Sequence, residues 1–422
     1  MSLKNLTSKD TLIVLTFAKA GLGHMRVAYA LMEALPKNVN LVLFSSLDRT
    51  TTFMHRLTSV NPFMREIGEA LQYGLAERIF TALYTRVLRL KAKDLLPQIK
   101  ALLNQTGATR VIFICTHFGL AHQIGELKAK LAWLTSVNPK LVVVVTDDSP
   151  QKAWRVSEAD LTIVPSKLTQ VKLFAPASKA VHYPLSLKLG RMLDSKEFEY
   201  RLMQVQTQSK TKIKVCLPVS GAAVGLNFYY KLACSLSELD NRFCFYVVSR
   251  NSKHTKPFLE NMKNQPYANI YSYKFDRDVV LGYVNVILEN TIAFEVTKPS
   301  EQAFKALYSP KQAGGVILLL TNPVGRQEYD NLWYLSRNNF IPNEEDQERL
   351  WRMSSDQLSI TNELLKRARN WRGVRLLSDP NKSARFIAWC LKQGIFSEML
   401  KFAGPNKSKG VLTIWKTVDS IV

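Results

Sequence analysis

Cysteine, long apolar runs and acidic side chains are all scarce in this chain, and each scarcity excludes a class of protein. Five cysteines among 422 residues include no CxxC pair, which favours a reduced chain over a disulfide framework. The longest strongly apolar runs, such as Leu141–Val145 and Val316–Leu320, fall far short of the roughly 20 residues that a membrane span needs. Polar Met1–Asp10 leads into an apolar run without the pattern of a signal peptide. We therefore expect a cytoplasmic chain that does not cross the membrane.

The deficit of acidic residues leaves the chain strongly basic. There are 57 lysines and arginines against 34 aspartates and glutamates, a net charge of +23. Such a balance favours an anionic partner, which is a nucleic acid, a phosphorylated ligand or an acidic membrane surface. Zinc-ligand spacings, RNP-like segments and arginine-rich tracts are lacking, so we expect no nucleic acid partner. An apolar content of 46% permits large cores and excludes global disorder.

Short β-rich runs alternate with helical patterns along the chain, which indicates parallel sheets covered on both faces. The predicted strands are Leu12–Phe17, Leu41–Phe44, Val111–Cys115, Leu141–Thr146, Leu161–Val164, Ile213–Pro218, Phe243–Ser249, Asn269–Tyr273 and Val316–Thr321. A polar stretch near residue 200 separates the two series. We predict an α/β protein with Rossmann-like domains at 1–200 and 201–395 that face a cleft, and an extension of unassigned role at 396–422.

The first predicted strand is followed by a loop containing Gly21, Gly23 and His24, and then by a helix. Glycines allow a tight turn, and free N–H groups at a helix start suit an anion or a developing negative charge. His24 can take a proton from an acceptor hydroxyl near neutral pH. The alternative is a structural strand–helix turn with a capping histidine.

Two more polar side chains follow predicted strands, His117 after Val111–Cys115 and Asp147 after the run that ends at Thr146. The carboxyl ends of parallel strands share one edge of a sheet, so His24, His117 and Asp147 are expected to converge. Asp147 is either a second candidate base or a group that orients His24. His117 is equally well explained as a satisfied histidine at a strand end.

These segments resemble, in the same order, the first half of monogalactosyldiacylglycerol synthases and bacterial diacylglycerol glucosyltransferases, and more distantly the peptidoglycan lipid-II GlcNAc transferase. Trp154 and the segment Val164-Pro165-Ser166 stand where those families have a tryptophan and a "V-P-S" segment, whereas Leu22 replaces a usual glycine. The resemblance implies a GT-B architecture. It also implies that His24 or Asp147 activates the acceptor hydroxyl, with Gly21, Gly23, His117 and Trp154 on the acceptor side of the cleft.

The second half carries three segments that the resemblance assigns to the nucleotide-sugar donor. Small residues after Ile213–Pro218 allow backbone amides to approach a diphosphate. The segment at 297–304 has lost the family's glycines, and the segment at 321–331 resembles its "P-x-x-G-Q-E-x-x-N" motif for the donor sugar. The implied donor-binding residues are Ser220, Gly221, Gly225, Lys298, Ser300, Glu301, Gln327, Glu328 and Asn331.

Glu77–Lys100 forms one predicted amphipathic stretch with a net positive charge. Its apolar stripe contains Ile79, Phe80, Leu83, Tyr84, Val87 and Leu88, and the basic residues expected at a membrane surface are Arg78, Arg86, Arg89, Lys91 and Lys93. Such a helix can lie on an anionic bilayer. The alternative is a core helix with a solvated basic face.

The resemblance implies an inverting transferase that moves a hexose from a UDP-sugar to a hydroxyl of a diacylglycerol-type lipid. We expect no cofactor and no metal, with the protein peripheral on the inner face of the membrane. Its partners would be a nucleotide sugar, a lipid acceptor and an anionic membrane surface. Two alternatives stay open, a catalytically weakened binding or scaffold subunit and a UDP-sugar epimerase of the same architecture.

Overall fold

The structure, a computed structural model, describes residues 3–18, 21–46, 68–175, 177–181, 183–221, 223–321, 323, 325–401 and 408–422. Contacts divide the chain into two compact units. The first comprises Met1–Leu187, Val324–Gln327 and Lys409–Val422, and the second comprises Lys188–Pro323 and Glu328–Ser408. The division thus falls after Leu187, whereas the sequence predicted a boundary near residue 200.

The first unit is built on a parallel sheet, which has six strands in the part of the chain that the structure describes. Its strands are β1 (Thr11–Ala18), β2 (Asn40–Ser46), β3 (Arg110–Cys115), β4 (Asn138–Val144), β5 (Leu161–Val164) and β6 (Ser178–Ala180). Their order is β2-β1-β3-β4-β5-β6. Every residue of β1 is buried, as expected for a central strand covered by helices on both faces. The chain leaves β1 for β2 on one side and returns for β3 on the other, which makes β1/β3 the topological switch point.

Helices and helical turns cover this sheet. They are α1 (Gly23–Glu33), α2 (Gly74–Leu90), a 3₁₀ turn (Lys91–Asp94), α3 (Leu96–Thr106), α4 (Phe118–Thr135), a second 3₁₀ turn (Lys152–Trp154) and α5 (Lys167–Leu173). The predicted single stretch Glu77–Lys100 is wrong in this respect, because α2 ends at Leu90 and the 3₁₀ turn separates it from α3. Pro97, in the first turn of α3, is suited to a helix start rather than to a helix interior.

The second unit repeats the architecture, again with six parallel strands among the described residues. They are β7 (Ile213–Pro218), β8 (Phe243–Arg250), β9 (Ala268–Tyr273), β10 (Phe294–Thr297), β11 (Val316–Leu319) and β12 (Gly373–Arg375). The order β12-β11-β10-β7-β8-β9 places the switch point between β7 and β10. Two doubly wound Rossmann-like units, as predicted, are therefore confirmed.

The helices of the second unit lie before, between and after its strands. They are α6 (Ser195–Gln204), α7 (Leu226–Leu239), α8 (Lys256–Lys263), α9 (Asp276–Asn290), a 3₁₀ helix (Glu301–Leu307), α10 (Arg326–Arg337), α11 (Glu344–Ser355), α12 (Asn362–Ala368), α13 (Pro380–Lys392) and α14 (Ile395–Lys401). The first residues of α10 group with the first unit.

A last helix, α15 (Gly410–Asp419), belongs to the first unit. Trp415 is fully buried, and its indole N–H donates to the Leu31 carbonyl at 2.8 Å. The Asp419 carboxylate accepts from the Leu6 amide at 3.0 Å. The extension at 396–422 is therefore divided, because Phe396 and Leu400 pack in the core of the second unit whereas α15 belongs to the first.

The segment between the 3₁₀ helix and β11, residues 308–315, is held by a buried arginine of α6. Arg201 donates to the carbonyls of Pro310, Gln312 and Ala313 at 3.1, 2.6 and 2.8 Å. Burial lowers the pKa of Arg201 to about 9. The carbonyls are turned towards a cation because burial leaves them no water to bond.

None of the described helices is long and apolar enough to cross a membrane.

Candidate functional site

His24 lies in the first turn of α1, beside the switch point of the first sheet. Gly21, two residues before α1, has a φ of +102°, a conformation that favours glycine over residues with a side chain. Thr116, directly after β3, donates its hydroxyl to the carbonyls of Thr16 and His24 at 3.1 and 3.0 Å. This threonine therefore fixes the end of β1, the end of β3 and the start of α1 against one another.

The same junction sets the tautomer of His24. Its Nδ1 lies 2.6 Å from the carbonyl oxygen of Thr116. A carbonyl can only accept, so Nδ1 carries the hydrogen and donates it. In the neutral ring, Nε2 is then the acceptor, which is the state that a general base requires.

The hydroxyl of Thr146 lies between the Asp147 carboxylate and the His24 ring. Thr146 Oγ1 donates to Asp147 Oδ2 at 3.1 Å and lies 3.5 Å from His24 Nδ1. The three strand ends that carry His24, His117 and Asp147 therefore meet at one edge of the sheet, as expected. The geometry favours Asp147 as a group that acts on His24 through Thr146.

His117 caps a helix at this edge. It is buried and precedes α4, and its Nδ1 accepts from the Gly119 amide at 3.2 Å. Its ring centroid lies 4.8 Å from that of His24, in an edge arrangement. Capping explains the position of His117, and its predicted role on the acceptor side stays a prediction.

Asp148, next to Asp147, is buried rather than solvated. Its Oδ1 accepts from Ser166 Oγ at 2.5 Å and from Thr169 Oγ1 at 2.8 Å. Ser166 in turn caps α5 by accepting from the Thr169 amide. The two adjacent aspartates thus differ, because one belongs to the histidine network and the other holds a helix start.

A row of neighbouring aromatic rings extends from His24 to α2. Ring centroids are 4.7 Å apart between His117 and Phe118, 6.1 Å between Phe118 and Tyr84, and 5.7 Å between Tyr84 and Phe80. Trp154, buried in the core of the first unit, lies 5.7 Å from Phe118 and 6.4 Å from His24. The separations lie in the range of favourable aromatic pairs.

The outer side of α2 is apolar and exposed to solvent. Leu83 is 62% exposed and Ile79 is 56% exposed, whereas Leu88 is 4% exposed. The other large apolar side chains exposed on or beside α2 are Tyr73, Leu75, Phe80, Val87 and Leu90. The prediction of a core helix with a solvated basic face therefore does not describe α2, because most of its apolar stripe points away from the core. Exposed apolar area of this kind marks an interaction surface.

The basic residues of this region are not all available to a partner. Arg78 and Arg86 are exposed on α2, and Lys93 is exposed in the following 3₁₀ turn, where Lys91 is half-buried. Arg89 instead pairs with Glu158 at 2.9 Å. We therefore leave Arg89 out of the surface formed by the exposed apolar and basic side chains at 75–93, which we call the α2 surface.

Glu77, at the start of the predicted stretch, turns inward. It is buried, and its Oε1 accepts from the Lys152 amide at 2.8 Å. This contact ties α2 to the 3₁₀ turn that carries Trp154. Glu77 therefore does not reduce the positive charge of the α2 surface.

In the second unit, the loop after β7 leads into the start of α7 through a glycine with a positive φ. Gly225 has a φ of +80° and directly precedes α7. Ser220 Oγ accepts from the Val224 amide at 3.4 Å, and Gly221 is exposed. Within the described residues, no side chain caps the start of α7, so its first amides can meet an anion.

β10 lies on the other side of the same switch point. The loop that follows β10 contacts the first turns of α10. Lys298 Nζ pairs with Glu328 Oε1 at 3.1 Å. Asn331 is fully buried, and its amide donates to the Pro299 carbonyl at 3.1 Å. Three residues predicted to bind the donor thus contact one another or the backbone, and two further candidates, Ser300 and Glu301, are half-buried nearby in the chain.

Gln327 groups with the first unit, where its Oε1 accepts from Gln151 Nε2 at 3.3 Å. Lys19, Ala20, Ala222, Asn322 and Val324, which belong to the predicted loops and motifs, lie outside the described residues. In the described parts of the chain, no group of three or more metal-ligating side chains could hold a metal ion.

Of the side chains around His24, the two threonines and Phe118 were not predicted from the sequence. Thr116 stands directly before His117 and Thr146 directly before Asp147, but a threonine at a strand end carries no signal of its own. Phe118 and Tyr84 come together only when α2 packs on α4. The only hint in the sequence was a threonine directly before His117 and directly before Asp147.

No protein family and no curated protein matches the sequence. Solved structures do share its architecture. UDP-GlcNAc 2-epimerase from Neisseria meningitidis bound to UDP-GlcNAc matches 97% of this chain and 99% of its own, with 9% identity and a TM-score of 0.52. The spinosyn rhamnosyltransferase SpnG complexed with thymidine diphosphate matches with the same coverage, 12% identity and a TM-score of 0.52.

The S. aureus MnaA–UDP structure matches 98% of both chains, with 10% identity and a TM-score of 0.51. At such identities the likeness shows the fold. The chain has the two-unit α/β fold of the GT-B type, as predicted, and two of these neighbours are by their names a UDP-GlcNAc 2-epimerase and a rhamnosyltransferase. The finer resemblance to the diacylglycerol transferases stays a prediction.

Proposed function

We propose that this protein is an inverting glycosyltransferase that moves a hexose from a UDP-sugar to a hydroxyl of a membrane lipid. The observation that carries the proposal is the continuity between His24 and the α2 surface. The α2 surface is apolar and basic, which suits an anionic bilayer. A row of aromatic rings connects it to His24, whose Nε2 is the hydrogen-bond acceptor.

In the proposed reaction, His24 Nε2 takes the proton of the acceptor hydroxyl. The oxygen attacks the anomeric carbon from the side opposite the diphosphate, the bond to the UDP oxygen breaks, and the configuration inverts. The leaving diphosphate is stabilised by the backbone amides that follow Gly221 and Gly225 and by Lys298, without a cofactor. Glu328 and Gln327 hold hydroxyls of the donor sugar.

The nearest alternative reaction is epimerisation of a UDP-sugar, which the N. meningitidis neighbour catalyses by its name. An epimerase acts on a soluble nucleotide sugar and has no need of an exposed apolar helix. The exposed side chains of α2 are therefore the reason to prefer a lipid acceptor.

In the test, the purified protein is incubated with vesicles that contain diacylglycerol and anionic phospholipid. Radiolabelled UDP-glucose, UDP-galactose or UDP-GlcNAc is added as the donor. We expect label to pass into the lipid extract with one of them. His24→Ala should reduce the transfer at least about 100-fold, the usual scale for a general base, while UDP binding and the melting temperature stay unchanged.

Transfer that survives His24→Ala within about tenfold, about 1.4 kcal/mol of barrier, would remove the role given to His24. An epimerised nucleotide sugar without labelled lipid would replace the transferase by an epimerase. UDP binding with neither product would leave a binding protein.

A further inference from the structure

The helices that cover one face of the second sheet enclose an open cavity of about 570 Å³. It lies between the end of α11, the middle of α13 and Leu239, the last residue of α7. Since α7 is 14 residues long, Leu239 lies about 20 Å from Gly225 at the other end of the helix. The cavity is therefore separate from the loops proposed to hold the donor.

Two tryptophans supply its apolar walls. Trp351 donates its indole N–H to the Arg375 carbonyl at 3.1 Å, and Trp389 donates to the Leu358 carbonyl at 2.9 Å. Because both polar atoms are already bonded, what the rings present to the cavity is carbon surface. Such surface suits an aromatic or otherwise apolar body.

Three basic side chains of α13 line the same cavity. Lys382, Arg385 and Lys392 lie at spacings of three and seven residues, which places them along one side of the helix. Each of these residues is exposed, and within the described part of the chain none of them forms an ion pair. Ala388, small and on the same side, leaves space between Arg385 and Lys392.

No acidic side chain is among the described residues that line the cavity. Three cations without an acidic partner in the lining favour a ligand with more than one negative charge. A phosphate monoester carries between one and two charges near neutral pH and offers several acceptor oxygens for arginine and lysine. A carboxylate would balance only one of the three cations.

We propose that this cavity binds a phosphate monoester attached to an aromatic or apolar body, as a site additional to the donor and acceptor sites. The phosphate lies against Lys382, Arg385 and Lys392, and the body packs on Trp351 and Trp389. A volume of about 570 Å³ lies within the range of small-molecule sites. The ligand is either a free phosphorylated metabolite or the headgroup of a lipid. The proposal does not depend on the transferase activity.

The soluble arm of the test titrates the full-length protein calorimetrically with 1-naphthyl phosphate, and separately with 1-naphthol and with inorganic phosphate. We expect the ester to bind one to one and more tightly than either part. Replacing Lys382, Arg385 and Lys392 together by glutamine should weaken it about tenfold or more. Ala388→Trp, which fills the cavity and keeps the charges, should weaken it as well.

The matched control changes three exposed basic residues of the same unit that do not line the cavity, Lys231→Gln, Lys263→Gln and Arg277→Gln. It removes the same charge and should leave binding within about twofold. The second arm measures sedimentation of both triple variants with vesicles of phosphatidic acid or phosphatidylcholine.

Loss of naphthyl phosphate binding in the cavity variants alone supports a soluble ligand. Loss of sedimentation with phosphatidic acid in the cavity variant alone supports a lipid headgroup. If both triple variants behave alike in both arms, or if Ala388→Trp binds the ester as the unaltered protein does, the attraction is general charge and the site is overturned.

Discussion

A single backbone carbonyl decides which nitrogen of His24 carries the proton. Thr116 supplies that carbonyl, and its hydroxyl also bonds the carbonyls of Thr16 and His24, so the ring is held by the same residue that joins β1 to β3. An imidazole held in one tautomer loses less entropy when it engages a substrate hydroxyl. The residue that organises the site is therefore a threonine that no sequence motif singles out.

The first prediction concerns the two adjacent aspartates. The Asp147 carboxylate, reaching His24 through Thr146, favours the protonated imidazole. Asp147→Asn removes that charge, so the acid limb of kcat/KM against pH should move to lower pH. Asp148→Ala serves as the control, because it unties Ser166 and Thr169 and should lower the melting temperature without moving the limb. An acid limb that stays in place in Asp147→Asn would contradict the link to His24.

At the scale of residues, contacts between side chains that are far apart in the sequence could not be predicted. Lys298 and Glu328 are 30 positions apart, and they meet because β10 and β11 are neighbours in the sheet. Asn331 fits a sugar-binding motif by spacing, but its burial and its bond to Pro299 depend on how α10 packs. Residue identity and order predicted which strand ends carry polar groups, whereas the partner of each group depended on the tertiary structure.

At the scale of elements, the described strands of six or more residues were all predicted, and the three that were missed, β6, β10 and β12, have four residues or fewer. The runs at β1, β7 and β8 contain valine, isoleucine and phenylalanine over six to eight residues, so their pattern is unmistakable. β6 and β12 have three residues each, too few for a period to appear. The break after Leu90 was missed because apolar and basic residues continue at helical spacing through the 3₁₀ turn.

The second prediction separates the two sides of α2. Leu83 and Leu88 are both leucines of α2, but Leu83 is 62% exposed whereas Leu88 is 4% exposed. Leu83→Asp should change the free energy of unfolding by no more than about 0.5 kcal/mol, yet reduce sedimentation with anionic vesicles. Leu88→Asp should cost several kcal/mol, because it buries a carboxylate. Urea unfolding and vesicle sedimentation measure the two effects. Unchanged vesicle binding of Leu83→Asp would remove α2 from the membrane proposal.

At the scale of the whole molecule, the chain builds two cores, and sequence order does not assign every segment to the nearer one. α15 lies at the far end of the chain from β1, yet its Trp415 bonds the carbonyl of Leu31 within the first unit. Trp371 lies between α12 and β12 and belongs to the core of the second unit. Each unit therefore has a fully or nearly fully buried tryptophan in its own core.

The third prediction uses this pair of tryptophans. Trp415→Ala should destabilise the first unit by about 3–5 kcal/mol, because it leaves a cavity and an unpaired carbonyl. Trp371→Ala should have a similar cost in the second unit. Hydrogen exchange read by mass spectrometry distinguishes them, since the first variant should lose protection in β1–β6 and the second in β7–β12. Because the units have separate cores, each loss should stay within its own unit. Equal loss in both sheets from either substitution would mean that the chain unfolds as one cooperative body, and α15 would then stabilise the second unit as much as the first.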